Sequence, residues 1–256
     1  MEKITALEPR IGRFQAMGCP CEILIDTEDA DLAAAQFDAA RREAQRIEEK
    51  YSRYRSGTVV DRINRCAGNP VEVDAETAAL LDYAAQCFDM SDGLFDITRR
   101  GWDKVSWKRP FVRIPSGFEI DFGGICKEYA ADRILEILMQ RHPVSTLVNL
   151  GGDIACAGQR LWSVGIENVA RPAEVVRTVH LRQGGVATSG TTKRAGHILN
   201  PKTGRPVERA PLSVTVAART CTEAGFWSTL AVLQGAAAET FLAGQSLEFW
   251  CYWDPQ

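Results

Sequence analysis

The chain reads as an α+β protein, with mixed and antiparallel sheets packed against helices. Two observations predict this. A long amphipathic segment with helical spacing occupies residues 28–50, and a second helical segment, stopped by a glycine turn, residues 74–90. Strand-like segments then fill residues 146–220 with no helix between them, punctuated by glycine and proline turns. The 256 residues are 45% hydrophobic and 25% charged, an ordinary globular composition. They read as one interlocked unit over residues 1–256, with room for two intimate lobes.

Residues 11–26 read as two short strands around a Met17-Gly18 turn. Leu32, Phe37, Ala40, Ala44 and Ile47 share one face of the helix at 28–50, capped by Asp29 or Asp31. Residues 51–65 predict a loop and a short helix after Ser56-Gly57, and Val71–Val73 a short strand. A helix from Asp74 to Met90 stops at Ser91-Asp92-Gly93. Residues 95–115 are polar and aromatic, a loop holding Trp102 and Trp107. Glu119–Phe122 predicts a strand, Gly123-Gly124 a break, and Lys127–Arg141 a helix. Thr146–Asn149 is a buried strand running into Gly151-Gly152-Asp153. Turns are predicted at Gly158, Arg171-Pro172, Gly184-Gly185 and Gly204. Two helices, Thr222–Gln234 and Ala236–Gly244, precede an aromatic strand at Leu247–Trp253.

Net charge is −3 and the isoelectric point is near 5.7. This offers no electrostatic case for nucleic acid or for an anionic membrane surface. The N-terminal residues lack the apolar stretch of a signal peptide, and no apolar run approaches the roughly 18–20 residues of a membrane span. The eight cysteines are scattered, and the one close pair, Cys19-Pro20-Cys21, lacks zinc or redox spacing. Free thiols without a framework point to a reducing compartment, so a cytoplasmic location is expected.

Five segments carry chemistry. Glu119–Tyr129 is a strand, a glycine pair and a helix start, a device whose backbone N–H groups bind phosphate or merely turn tightly. Leu147–Asp153 repeats it, with Asn149 and Asp153 either reading a ribose or base edge or closing an Asx turn. In Ser91–Asp96, Phe95 either anchors the loop or walls an aromatic ring, and Tyr54 carries the same ambiguity. Thr222–Thr229 opens a helix that reads first as a capped structural helix, because the i, i+4 partner of Thr229 is Gly225. Finally, Ala187-Thr-Ser-Gly190 precedes Gly196-His-Ile-Leu-Asn-Pro-Lys-Thr-Gly204. One of only three histidines, His197, stands there beside a rigid turn, where a general base would be held.

These blocks resemble, in order, those of the FAD:protein FMN transferase (ApbE) family. Phe14–Gly18, Tyr51–Tyr54 with Asn64, Asp92–Asp96, Asp121–Lys127, Asn149–Asp153, Ala187–Gly190 and His197–Gly204 each look like one of its motifs. The resemblance covers nearly the whole chain. It implies a T-fold-like architecture that binds FAD, splits it at the pyrophosphate with Mg²⁺, and transfers FMN to a threonine of a target flavoprotein with release of AMP. By this resemblance His197 is the base, and Met17, Tyr54, Leu94, Phe95, Asp96, Gly123, Tyr129 and Ile198 line the FAD site. The metal positions map to Cys126, through its carbonyl, and to Thr229 with Ser228. The departures are specific. Gly225 replaces the family's metal-binding aspartate, Asn200 an aspartate, and Glu128 a glycine. Three substitutes for the missing carboxylate follow: Glu223, Glu128, or the phosphates of FAD itself. Two rival readings are a non-catalytic FAD-binding homologue and an FAD pyrophosphatase.

Overall fold

A computed structural model describes residues 8–171, 174–190 and 198–254. Among them, one sheet of seven strands has the order β1-β2-β6-β7-β10-β13-β14. Its strands are Arg10–Ala16 (β1), Cys19–Ile25 (β2), Thr146–Leu150 (β6), Asp153–Ala157 (β7), Gly184–Gly190 (β10), Ser213–Ala218 (β13) and Glu248–Tyr252 (β14). Every neighbouring pair is antiparallel. The fold is α+β, as the segment order predicts.

Alternation along the strands sorts side chains to two cores. Val148, Leu150, Ala155 and Ala187 face the helices in the main core, with Ile134 and Leu138 from Cys126–Arg141 (α4). Leu147, Ile154, Cys156 and Val186 face the other way. There the hairpin of Trp162–Glu167 (β8) and Val175–Leu181 (β9) covers them with Trp162, Val164, Ile166 and Val179. Both faces of the central strands β6, β7 and β10 are therefore shielded from water.

The first helix, Ala30–Tyr51 (α1), starts where Asp29 accepts hydrogen bonds from the N–H groups of Asp31 and Leu32 at 2.9 and 3.0 Å. Ala40, Ala44 and Ile47 are buried as the spacing predicts, and Phe37 packs over Gly12. The short helix Val59–Arg65 (α2) is capped by Thr58, and Ala75–Met90 (α3) by Asp74. The helix Cys221–Leu233 (α5) lies under β10 and β13 and is apolar on nearly all sides. Ala238–Ala243 (α6) follows it.

Three predicted elements differ. The expected loop over residues 95–115 contains a hairpin, Ser106–Lys108 (β4) with Phe111–Arg113 (β5), which pairs with Val71–Glu72 (β3). Residues 119–122 do not form a strand. Ile120 finds its backbone partners in the side chain of Asn64, at 2.8 and 3.1 Å, and Phe122–Gly124 makes a 3-10 turn. Gly184 and Gly185 do not form the turn but open β10, because α5 begins against them: a Cβ on Gly185 would lie 2.2 Å from the Cys221 nitrogen. The hairpin of Leu199–Asn200 (β11) and Arg205–Pro206 (β12) encloses the turn predicted at Gly204. Pro172, of the turn predicted at Arg171-Pro172, lies outside the described residues.

Candidate active site

Two glycine-rich turns meet at the N-terminus of α4. In the first, Asp121 accepts the Gly123 N–H at 2.8 Å, and Arg53 and Arg99 hold the same carboxylate at 2.9 and 3.3 Å. The chain then passes through Gly123 and Ile125 to Cys126, the first residue of α4. In the second turn Asn149 accepts the Gly152 N–H at 2.8 Å, so its side-chain oxygen closes an Asx turn. Asp153, at the start of β7, forms an ion pair with Lys127 of α4. Burial disfavours the Lys127 ammonium, but the Asp153 carboxylate outweighs it and holds the lysine pKa above its ordinary value.

The helix α5 runs alongside this terminus. Asp132, one turn and a half into α4, accepts the backbone N–H groups of Cys221 and Thr222, each at 2.8 Å, and the Thr222 hydroxyl at 2.6 Å. Thr220 caps the helix as well, accepting the Glu223 N–H at 3.1 Å. Thus α4 sets where α5 starts. Further along, Ser189 of β10 lies 2.9 Å from the Ser228 hydroxyl and 2.8 Å from that of Thr229. Ser228 is fully buried and donates to the Gly225 carbonyl at 3.1 Å. The three hydroxyls form one cluster, in which Ser189 joins the two hydroxyl residues expected from the sequence.

Between α4 and α5 sits Glu128. It is 8% exposed, and its Oε2 is buried with no hydrogen-bond partner among the described residues. Desolvation pushes its pKa well above the ordinary carboxylate range, Asp153 adds to the rise, and Lys127 opposes it. No group of three or more His, Cys, Asp or Glu side chains able to hold a metal occurs among the described residues. The donor set at hand is different in kind: a backbone carbonyl, hydroxyls and one carboxylate. Such all-oxygen sets suit Mg²⁺, which keeps waters and takes phosphate oxygens for its remaining positions. The unpartnered oxygen of Glu128, whose side chain occupies the room left by Gly225, fits a cation there.

Of the residues expected along FAD, Phe95 is buried edge-to-face with Phe226 of α5, with ring centroids 5.4 Å apart, and approaches Gly124. Leu94 is half-buried against the same core. Asp96 spends its carboxylate on its own loop, accepting from the N–H and hydroxyl of Thr98 and from Gly101 N–H at 2.7–2.8 Å. Met17 takes a left-handed backbone, φ 54°, and donates its N–H to Glu48 at 3.0 Å. The Tyr129 hydroxyl donates to Glu76 at 2.8 Å. Tyr54 is 88% exposed, with Arg53 over its ring at 5.6 Å. Ile198 is packed against the cluster that α5 and β13 share. His197 lies outside the described residues.

Two of these residues line separate clefts. Asp96 lines an open cleft of about 500 Å³ with Phe88, Asp92, Arg100, Pro201 and Lys202. Lys202 pairs with Asp92 at 2.8 Å across it, tying the Asn200–Gly204 turn to the loop after α3. Tyr129 lines a separate cleft with Glu43, Arg46, Glu76 and Arg133. Sequence reasoning missed Asp132 and Glu76, which carry no motif and act across helices distant in sequence.

An antiparallel sheet under helices, with two glycine turns meeting at the N-terminus of α4 and a hydroxyl cluster between β10 and α5, defines an α+β class of protein. Within that class, the chain belongs to the ApbE family, whose model matches residues 17–101 and 99–251. It is 27% identical to an FAD:protein FMN transferase of Klebsiella pneumoniae (strain 342), over 84% of this chain and 79% of that one. It is 28% identical to the FAD:protein FMN transferase of Treponema pallidum (strain Nichols), over 79% and 73% of the two chains. The crystal structure of the ApbE protein from Thermotoga maritima superposes with a TM-score of 0.87 at 25% identity, covering 95% of this chain and 94% of that one. The Pseudomonas stutzeri flavinyl transferase ApbE, in its apo form, shares the fold with a TM-score of 0.84 at 21% identity, covering 100% and 94%.

Proposed function

We propose that this protein is an FAD:protein FMN transferase, acting as a single FAD-binding unit on a flavoprotein acceptor. The observation that carries the reading is the family match running through both glycine turns, the hydroxyl cluster and the α4–α5 contact. In the reaction a threonine hydroxyl of the acceptor attacks the FMN phosphorus of FAD. A phosphoester bond forms, the pyrophosphate bond breaks, and AMP departs. His197 takes the proton of the attacking hydroxyl, a role suited to an imidazole near neutral pKa. The Gly123-Gly124 turn leads into the N-terminus of α4, which faces the phosphates, while the Gly123 amide itself is held by Asp121. Phe95, with Leu94, Met17 and Ile198, supplies apolar surface for the ring systems.

The Cys126 carbonyl and the hydroxyls of Ser228 and Thr229 would hold Mg²⁺. When bound, the cation neutralises charge on the pyrophosphate. Lys127, paired with Asp153, fixes an ammonium at the same helix end, where it can donate hydrogen bonds to a phosphate. All eight cysteines are unpaired, which supports a reducing compartment, the cytoplasm. Among the described residues no helix is long and apolar enough to cross a membrane.

The test is incubation of the purified protein with FAD and a threonine-containing acceptor, with Mg²⁺ and with EDTA. AMP release together with a covalent FMN adduct on the acceptor, abolished by EDTA and by His197→Gly, is the expected result. FAD binding without AMP release when acceptor and Mg²⁺ are both present would overturn it.

A further inference from the structure

Position 225 is an anomaly of the helix in which it sits. Glycine in a helix interior is less favourable than alanine, yet Gly225 stands buried inside α5. The space around it gives the reason. A Cβ built there would lie 2.6 Å from Cγ, 2.9 Å from Oε1 and 3.0 Å from Cδ of Glu128. The glutamate side chain fills the room that any residue at 225 would need.

Filling space does not account for a glutamate. Leucine or methionine would occupy the gap without desolvating a carboxyl group, which is costly when left unpaired. The charged neighbours of Glu128 are Lys127, already paired with Asp153, and the two carboxylates Asp153 and Asp132, which oppose another negative charge. Its Oε2 is left with no partner. Gly225 lies one helical turn before Thr229, on the same face of α5, and its carbonyl accepts from Ser228. Glu128 lies two residues after Cys126, within the first turn of α4. A buried carboxyl group with one unpartnered oxygen is thereby placed against Gly225, one turn from Thr229, from the opposite helix.

We propose that Glu128 and Gly225 work as an exchanged pair: Glu128 is the carboxylate ligand of a divalent cation held between α4 and α5, and position 225 is glycine to admit it. This rests on the cation binding inferred above and names the residue that anchors it. Neither of the other substitutes meets the geometry. Glu223 pairs with Arg219 at 3.4 Å on the exposed side of α5, and phosphates alone would leave the Glu128 oxygen unpartnered.

The experiment titrates the purified protein with Mn²⁺, following free Mn²⁺ by electron paramagnetic resonance, with and without ADP and with Mg²⁺ as competitor. Wild type is expected to bind one Mn²⁺ that Mg²⁺ displaces. The isosteric Glu128→Gln should weaken binding by on the order of tenfold or more. Gly225→Asp alone should lower the melting temperature, since both side chains claim one space. The exchanged variant Glu128→Ala/Gly225→Asp should regain both stability and Mn²⁺ affinity, and it decides the matter if Glu128→Gln fails to fold. Unchanged Mn²⁺ affinity in Glu128→Gln, no Mn²⁺ binding by wild type in either condition, or an exchanged variant that folds without binding Mn²⁺ would overturn the proposal. AMP release from FAD is scored separately. Glu128-dependent Mn²⁺ binding without AMP release would sink the transferase reading alone, whereas intact AMP release with unchanged Mn²⁺ affinity in Glu128→Gln would sink the ligand assignment alone.

Discussion

At the scale of single residues, the site depends on side chains that stand in for backbone. Asn64 gives and accepts one hydrogen bond with the main chain of Ile120, doing for that residue what a neighbouring strand would do. Ile120 is 1% exposed, so its amide and carbonyl have no water to fall back on. Leaving a buried backbone group unpaired costs about 1–3 kcal/mol. Asn64→Ala is therefore expected to destabilise the protein by about that amount in urea unfolding. It should also weaken FAD binding, because the Gly123 turn follows three residues later. Stability equal to wild type would show that the loop does not depend on Asn64. Gly185 makes a separate contribution, through what it lacks. Its missing side chain lets the start of α5 approach β10, and the atoms a Cβ would strike are backbone atoms of Thr220 and Cys221. Backbone cannot rotate aside, so Gly185→Ala should cost about 1–3 kcal/mol or more, read as a lowered urea midpoint. An unchanged midpoint would mean that α5 has slack at its first turn.

At the scale of elements, α5 is the piece whose placement matters most, and Asp132 places it. One carboxylate accepts two amide protons and a hydroxyl proton at the helix N-terminus, where the helix dipole also favours negative charge. Hydrogen bonds to a charged group contribute about 1.5–3 kcal/mol each way of counting, and a lost cap about 1 kcal/mol. Asp132→Ala should therefore destabilise the protein by about 2 kcal/mol and speed amide exchange in the first turn of α5. Exchange there at the wild-type rate would show that Thr220 suffices as cap. Asp132 also shows where sequence reading stops. The helix at 28–50 is legible from apolar spacing and a local cap, Asp29, which acts within one turn, and those at 74–90 and 127–141 from the glycine turns that bound them. Ile120 was misassigned to a strand because Glu119–Phe122 has strand-like residues, and nothing local reveals that its partner is a side chain 56 positions away. The hairpin at 106–113 was hidden for a similar reason: its pairing with Val71–Glu72 spans the whole of α3. The candidate site divides along the same line. The proposed ligands Cys126, Ser228 and Thr229 come from the motifs that contain them. Which carboxylate faces Gly225 was not legible, because it depends on how two helices a hundred residues apart cross.

At the scale of the whole molecule, Glu76 of α3 ties three helices together. Arg46 of α1 grips both of its oxygens at 2.6 and 2.8 Å, Lys50 of α1 donates at 2.6 Å, and Tyr129 of α4 donates at 2.8 Å. The Arg46 guanidinium, followed by Lys50 and Tyr129, overcomes partial burial and holds the Glu76 pKa down at about 2. A carboxylate whose pKa is lower folded than unfolded contributes its full stabilisation above the unfolded pKa and loses it as pH falls through the folded one. The contribution of Glu76 should thus be intact at pH 5 and above, decline from about pH 4.5, and be gone near pH 2. Urea midpoints measured from pH 7 to pH 2 test this by comparing wild type with Glu76→Gln. The variant should be the less stable at neutral pH, and the gap should close as the pH falls through that window. High salt should narrow the gap at neutral pH, because Arg46 is partly exposed and its charge is screened. A gap that stays constant down to pH 2 would mean that shape and neutral hydrogen bonding, not charge, join the helices. The same substitution has a functional arm. Tyr129 is held toward Glu76, in a cleft apart from the one Asp96 lines. If Tyr129 contacts FAD, Glu76→Gln leaves its hydroxyl a weaker acceptor and should shift FAD affinity with little effect on Mn²⁺ binding. Equal FAD affinity in the two proteins would restrict Tyr129 to tying α3 to α4 and would move the FAD surface toward Phe95 and the Asn200–Gly204 turn.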